Sequence, residues 1–416
     1  MTKGSLENII AIIGLGNIGL PLAIEFGKKF KTIGFDVDKH RVDTLQQGID
    51  IRNTSTEMIS ISEKLTFTSE YQTLQVCNIF IIAVQTSTNN DSTPNINALI
   101  NASQTVAKIL KKNDLVIYES TVFPGCTEEI CVPILEQFSG LTYNSDFFVG
   151  YSPERINTGD SVHTLTNTIK ITAGSNTETA QKVDKLYQTI IKAGTHLVSS
   201  IKTAEAAKLL ENAQRDINIA FMNEVAAILT GQNISFEDVW NASSTKWNFL
   251  KFSPGLVGGE CLPLASNYLH YLSKDKEGVL QSSRMINNNF PQTIAQVIEE
   301  KIKTDFPNLD NAKLLVLGIT YKPDSPDCKN SLVPLFVNSL INKGFDINCY
   351  DPIAVNAPLK VIDTLTDDHK YHLIIKASKH SIFEQLNYSS FTHPDYLIFD
   401  IQQFSFHKGK PTMAEN

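Results

Sequence analysis

Five short segments of this chain carry residues whose types and spacing suit chemistry. The first is Gly14-Leu15-Gly16-Asn17-Ile18-Gly19, which directly follows the apolar run 8–13 and precedes a helical pattern from Leu20 to Phe30. Glycines at its three fixed positions allow a tight turn, close backbone approach to a pyrophosphate and tight helix–strand packing. The helix that follows offers free N–H groups and the positive end of its dipole to a phosphate. A second apolar run, Thr32 to Phe35, ends at Asp36, 17 residues beyond Gly19. A carboxylate there can accept hydrogen bonds from a ribose diol and would repel a 2′-phosphate, which favours NAD over NADP. A purely structural strand-to-helix turn is the competing explanation of the glycines, and the placement of Asp36 weighs against it.

The other four segments are less specific. Lys208, Asn212 and Arg215 recur at i, i+4 and i+7 in a helical stretch, so all three share one face, which either holds a ligand or is merely solvated. Pro254-Gly255-Leu256-Val257-Gly258-Gly259-Glu260-Cys261 delivers one cysteine from a glycine-rich loop. That suits close backbone approach to a ligand and a positioned nucleophile, although a lone cysteine is more often a small buried hydrophobe. Tyr151-Ser152-Pro153-Glu154-Arg155 reads as a strand end presenting a carboxylate and a guanidinium, to a ligand or as a surface ion pair. Glu119-Ser120-Thr121-Val122-Phe123-Pro124-Gly125 follows a strand, where α/β sheets place ligand-binding loops, and is otherwise an ordinary Pro-Gly turn.

Positioning these groups falls to alternating strands and helices. The runs 8–13, Thr32–Phe35, Asn78–Val84 and Asp114–Tyr118 predict buried strands separated by helical patterns, hence a parallel sheet covered on both faces. From about 200 to 230 the chain lacks proline and internal glycine. There Leu210, Ala213, Ile217, Phe221, Val225 and Ile228 mark one apolar stripe, and Gly231 is the expected C-cap. A helix of this length can join two domains or pack against a second copy. After residue 300 a second α/β unit is expected, with strands at Lys313–Leu317, Asp346–Tyr350 and Tyr371–Ile375 and a helix at Leu332–Asn342; the polar tail from about Lys408 is expected to fray.

At roughly 150 residues per domain, 416 residues bound the chain to two or three domains. Apolar residues make up 42% and charged residues 19%, ordinary soluble usage that excludes a disordered or fibrous chain. Lys and Arg total 36 against 44 Asp and Glu, and a net charge of −8 excludes nonspecific nucleic-acid or anionic-membrane binding as the main role. Six scattered cysteines without a zinc-like C-x-x-C pair point to reduced thiols and no metal site. Lys3 with the run Ile9–Ile13 is too short and glycine-interrupted for a signal peptide, and no run approaches a membrane span, so a cytoplasmic location is expected.

In order along the chain, GLGNIGLP, GFD, AVQTST, ESTVFPG, SPER, TAEAAKLLENAQRDINIA, TKWNFLKFSPGLVGGECLP, GITYKPDSPDCKNS and YDP resemble the UDP-glucose/GDP-mannose dehydrogenase family, from Gly14 to about residue 404. TKWNFL and PGLVGG look like the branch that oxidises UDP-N-acetylhexosamines, UDP-GlcNAc or UDP-GalNAc, for bacterial surface polysaccharides. The resemblance implies an α/β chain with an N-terminal Rossmann NAD-binding domain (1–198), a central helical dimerisation and catalytic domain (199–300) and a C-terminal Rossmann-like UDP-binding domain (301–416). It further implies a homodimer. The family reaction takes a sugar C6 hydroxymethyl to a carboxylate with two NAD, holding the intermediate on a thiol as thiohemiacetal and then thioester.

By the same resemblance that thiol is Cys261, with Lys208 and Asn212 stabilising the alkoxide and oxyanion, Glu154 the base toward water and Thr121 beside it. NAD contacts fall to Gly14, Gly16, Asn17, Ile18, Gly19, Asp36, Arg41, Thr86, Thr121 and Lys329. Substrate contacts fall to Glu154, Arg155, Lys208, Asn212, Arg215, Leu250, Phe252, Gly258 and Lys322. Several positions depart from the family pattern. Glu260 stands for the histidine of GGHC, Gln85 for the proline of AVPTP, Thr158 for the proline after SPERIN, and Lys329 for an arginine whose forked donor is thereby lost. Ala265 stands where the family has an aspartate of the catalytic set, a loss expected to weaken catalysis rather than binding. The departures put a second class beside the enzyme: a member that binds NAD or nucleotide sugar without turnover. A hydroxyacid-type dehydrogenase sharing only the Rossmann half is disfavoured by the Cys261 loop.

Overall fold

Short runs rich in Ile, Val, Leu and aromatic residues form the strands of the first of two compact units, Met1–Glu211 with Asn267–Leu272; the second comprises Asn212–Ser266 with Ser273–Asn416. The computed structural model describes residues 7–50, 61–156, 162–273, 277–307 and 312–409, so Thr158 lies outside the described residues. The first unit contains β1 (Ile9–Ile13), α1 (Gly19–Gly27), β2 (Lys31–Phe35), α2 (Lys39–Gln46), β3 (Leu65–Thr68) and β4 (Ile79–Ile82). A small hairpin, β5 (Ser87–Thr88) and β6 (Pro94–Asn95), precedes α3 (Asn97–Ala107), β7 (Leu115–Tyr118), α4 (Val132–Ser139) and β8 (Phe148–Tyr151). β9 (Lys170–Gly174), α5 (Thr177–Gln188) and β10 (Thr195–Leu197) complete it.

Eight strands form one sheet in the order β10-β9-β8-β7-β4-β1-β2-β3. The expected parallel pairing holds from β3 to β8, but β8 and β9 pair antiparallel. A parallel neighbour needs a crossover, usually helical, and no helix lies between β8 and β9 among the described residues, so the chain returns in the opposite sense. Ile10, Ile12, Leu15, Phe26, Ile81, Ile117, Val183 and Tyr187 are fully buried in the core of this unit.

The long apolar-patterned stretch forms α6 (Ile201–Gly231), followed by α7 (Phe236–Ser243), α8 (Cys261–Leu272) and α9 (Val279–Asp305). Gly231 is the last helical residue and not the cap; Asn233, at φ 56°, takes the left-handed turn, which its short polar side chain tolerates. The predicted stripe on α6 divides: Ala213 is buried, whereas Leu210, Phe221 and Ile228 are more than half exposed. In the second unit, β11 (Lys313–Leu317), α10 (Val333–Ile341), β12 (Asp346–Tyr350), β13 (Tyr371–Lys376), β14 (Thr392–Asp400) and β15 (Ser405–Lys408) give a sheet ordered β12-β11-β13-β14-β15. The fraying expected from Lys408 does not begin there, because Lys408 still pairs with Leu397; residues from 410 lie outside those described. Phe290, Ile294 and Ile298 of α9 pack with Leu314, Val316, Phe336 and Phe399 in this unit's core. No helix among the described residues is long and apolar enough to cross a membrane.

Candidate active site

The glycine loop is shaped by backbone contacts that exclude side chains. Gly14 has φ +91° and its N–H donates to the Phe35 carbonyl at 2.8 Å. A Cβ on Gly14 would lie 2.9 Å from the Ala83 carbonyl oxygen, and one on Gly19 only 1.8 Å from that of Gly14. Asp36 Oδ2 accepts from the Leu15 N–H at 2.8 Å and its Oδ1 from the Asp38 N–H at 3.0 Å. Arg41 is buried and donates to the Leu15 carbonyl through Nε at 3.1 Å and Nη2 at 3.0 Å, while Nη1 pairs with Asp50. Both polar groups of Leu15 are thus held by side chains, which makes Arg41 a brace of the loop. Asn17 is exposed and Gly16 and Ile18 half-buried at the start of α1. A cradle closed to side chains, the N–H groups of a helix start and a carboxylate with lone pairs to spare fit a dinucleotide. Gly19→Ala is expected to abolish NAD binding in titration calorimetry; affinity within threefold of wild type would show that the loop tolerates a methyl group.

Beyond β4, β7 and β8, three loops are tied together. The Thr86 hydroxyl donates to the Thr121 carbonyl at 2.7 Å, that of Ser120 to Val84 at 2.6 Å and that of Tyr151 to Ser120 at 3.1 Å. Thr121 is half-buried. Glu205 of α6 accepts from the N–H groups of Gly125 at 2.6 Å and Thr127 at 3.0 Å, which anchors the Pro-Gly turn. Glu154 is buried, accepts from the Ile156 N–H and lies 3.5 Å from the Lys208 ammonium. Burial pushes the Glu154 carboxyl above its ordinary value, with Lys208 and Lys170 opposing. A carboxylate tuned upward in this way suits a general base. Arg155 pairs with Glu211 at 2.6 Å and donates to the Ile169 carbonyl at 2.7 Å, so it is not the partner of Glu154.

Behind Glu154 lies a buried group that no sequence motif marked. Lys170, at the head of β9, donates to Glu119 Oε2 at 2.5 Å, to the Pro153 carbonyl at 2.8 Å and to that of Ser152 at 3.2 Å. The Tyr187 hydroxyl donates to the other Glu119 oxygen. Burial pushes Glu119 up and Lys170 down while their mutual attraction opposes both shifts. All three ammonium donors are used, and two of them fix the backbone immediately before Glu154. The sequence signal available was faint: a lysine opening the short strand KITAG.

In the second unit Cys261 opens α8 and is exposed, whereas the other five cysteines are buried and none of the six forms a disulfide. A Cβ on Gly258 would lie 2.5 Å from the Asn330 carbonyl oxygen; Gly259, at φ +77°, donates to that same oxygen at 3.1 Å and has no room for a Cβ against the Tyr321 ring. Glu260 pairs with Lys329, so two residues that depart from the family pattern meet each other. Ala265 is fully buried. Leu250 is exposed, the half-buried Phe252 accepts at its carbonyl from Trp240 Nε1 at 2.7 Å, and Lys322 lies with Nζ 5.8 Å from the centre of the Tyr321 ring. Along α6, Lys208 is buried, Asn212 half-buried and Arg215 exposed, so the polar face runs from interior to solvent.

An α/β unit with this glycine cradle and acidic strand end defines a dinucleotide-binding module, and the same chain carries an exposed thiol at a helix start. Models of the UDP-glucose/GDP-mannose dehydrogenase family match its NAD binding domain at residues 8–191, its central domain at 202–289 and its UDP binding domain at 315–405. The chain belongs to this family, with its three-domain architecture and with NAD as cofactor. It is 42% identical over 407 residues to the UDP-N-acetyl-D-glucosamine 6-dehydrogenases of Salmonella typhi and Pseudomonas aeruginosa, covering 94% of this chain and 95% and 96% of theirs. The solved UDP-D-ManNAc dehydrogenase of Pyrococcus horikoshii matches it with a TM-score of 0.84 at 29% identity over 97% of both chains.

Proposed function

We propose that this NAD-dependent UDP-sugar dehydrogenase oxidises the C6 hydroxymethyl of a UDP-N-acetylhexosamine, UDP-GlcNAc or UDP-GalNAc, to the uronic acid, for polysaccharide biosynthesis. The observation that carries the proposal is Cys261, the one exposed thiol among six, at the start of α8. The 42% identity to two UDP-N-acetyl-D-glucosamine 6-dehydrogenases supports the N-acetylated sugar. NAD supplies the hydride acceptor for both oxidations. Lys208 and Asn212 donate hydrogen bonds to the C6 oxygen as it gains negative charge. Loss of hydride from C6 and of the hydroxyl proton leaves an aldehyde, and the Cys261 thiol adds across its carbonyl to give a thiohemiacetal. Loss of a second hydride and proton gives a thioester. Glu154 takes a proton from water, and the resulting hydroxide displaces the thiolate to leave a carboxylate. One alcohol, one water and two NAD+ thus become one carboxylate, two NADH and three protons.

Domain boundaries at 1–198, 199–300 and 301–416 belong to the same proposal, as does a cytoplasmic location, which suits reduced thiols. So does a homodimer: the exposed Leu210, Phe221 and Ile228 of α6 supply apolar surface for a second copy. Pure protein mixed with NAD and each of UDP-GlcNAc, UDP-GalNAc and UDP-glucose is expected to produce NADH slowly with an N-acetylated sugar. No NADH above a sugar-free control overturns the enzyme and leaves the non-catalytic binding member, for which the buried Ala265 speaks.

A further inference from the structure

The segment Gly255–Ser266 carries Cys261 near its middle and is fastened to α6 at both ends. At its start the Asn223 side-chain amide pairs with the Gly255 backbone: the Gly255 N–H donates to Asn223 Oδ1 at 2.8 Å, and Asn223 Nδ2 donates to the Gly255 carbonyl at 3.1 Å. At its end Ser266 Oγ donates to Asp216 Oδ2 at 2.6 Å. Asp216 and Asn223 are seven residues apart, so they project from one face of α6 about 10 Å apart along its axis.

Behind the segment the two clamps are one network. Asp216 Oδ1 accepts from Arg284 Nη1 and from Asn287 Nδ2, each at 2.7 Å, and Asn287 Oδ1 accepts from Asn223 Nδ2 at 2.9 Å. Asp216, Asn223, Ser266 and Asn287 are fully buried. Well-packed apolar residues hold helices together at least as well as a buried charged network does. Packing α6 against α8 and α9 therefore does not by itself call for these groups. What the network adds is a fixed position for two backbone points that flank the thiol.

We propose that Asp216 and Asn223 are positioning residues for Cys261, setting where the thiol at the head of α8 comes to rest. This rests on Cys261 being the nucleophile of the proposed reaction. A nucleophile must approach its carbon to about 3–3.5 Å, and a misplacement of about 1 Å can cost about a hundredfold in rate.

The test reads the thiol directly as well as through turnover. Iodoacetamide labelling of Cys261 in the native protein, followed by peptide mass spectrometry, is compared for wild type, Ser266→Ala, Ser266→Thr and Asn223→Ala, alongside kcat, KM for NAD and melting temperature. Ser266→Ala leaves Asp216 its bonds from Arg284 and Asn287, so it is the variant expected to fold. Expected in both alanine variants are an alkylation rate changed by about threefold or more and a kcat lowered about tenfold or more, on the scale set by displacing a reacting atom. KM for NAD should stay near wild type, and Ser266→Thr should restore both altered quantities. Alkylation and kcat at wild-type values in folded Ser266→Ala overturn the proposal, even if the melting temperature falls. If the wild type makes no NADH with any UDP-sugar, the proposed function fails on its own account, and the alkylation rates still decide whether Asp216 and Asn223 position the thiol. If Asn223→Ala does not fold, Ser266→Ala decides alone.

Discussion

Replacing Cys261 by serine is expected to abolish uronic acid formation while leaving NAD affinity at the wild-type level. A serine hydroxyl is a far weaker nucleophile than a thiolate at neutral pH, and Cys261 is the exposed thiol of the six. The loss should be about a thousandfold or more, about 4 kcal/mol of barrier. NAD affinity should hold because the cradle at Gly14 and Gly19 is shaped by its own backbone and by Asp36 and Arg41. Product analysis by mass spectrometry decides the matter, since undiminished acid from the variant would refute the thioester route.

Lys170→Met is expected to destabilise the first unit by about 3–5 kcal/mol, the usual cost of stranding one partner of a buried ion pair. Glu119 is fully buried and would keep the Tyr187 hydroxyl as donor but lose its only cationic hydrogen-bond partner among the described residues. Adding Glu119→Gln should recover most of the loss, because a neutral amide can still accept from Tyr187 and no charge is left behind. Both tryptophans, Trp240 and Trp247, belong to the other unit, so their fluorescence would not report the change. Amide hydrogen exchange of peptides from β7 and β9 would. A single variant within 1 kcal/mol of wild type, on the scale of an ordinary surface substitution, would mean that water or backbone replaces the ammonium.

The parts of the site that could be read from the sequence are those whose requirement is local. Gly14 and Gly19 announce themselves because a backbone carbonyl occupies the place of a side chain, and that demand can be met by only one residue type. Asp36 is legible for a similar reason: a polar residue ends an apolar strand directly beside that loop. The groups that brace the site escape because their partners are distant in sequence. Lys170 lies 51 residues from Glu119 and Asp216 50 residues from Ser266; Arg41 is named by the family resemblance as an NAD contact, but its hold on the Leu15 carbonyl, 26 residues away, is not. No periodicity or motif links such positions. The reversal of β9 was hidden for a related cause, since its direction depends on the connection from β8 and not on its own alternation of residues. Gly231 and the α6 stripe show the converse: composition favoured a glycine cap and one continuous apolar stripe, but the left-handed turn went to Asn233 and the stripe divides, with Ala213 buried and Leu210, Phe221 and Ile228 outward.

The exposure of Cys261 has a redox consequence. Burial pushes the thiols of Cys77 and Cys349 up to about 12 and that of Cys328 to about 11, so these three stay protonated and inert at neutral pH. Cys126 and Cys131 are buried as well, so Cys261 is the thiol that peroxide is expected to reach first. None of the five buried cysteines is placed at the surface to resolve its sulfenic acid, so the oxidised residue is left to small thiols or to further oxidation. Up to the sulfenic acid or mixed disulfide, a reductant restores the thiol; at the sulfinic stage it does not. If Cys261 is the nucleophile, as proposed, oxidation at this one outward thiol switches the chain off with its fold intact, and the reducing power of its surroundings decides how much of it is active.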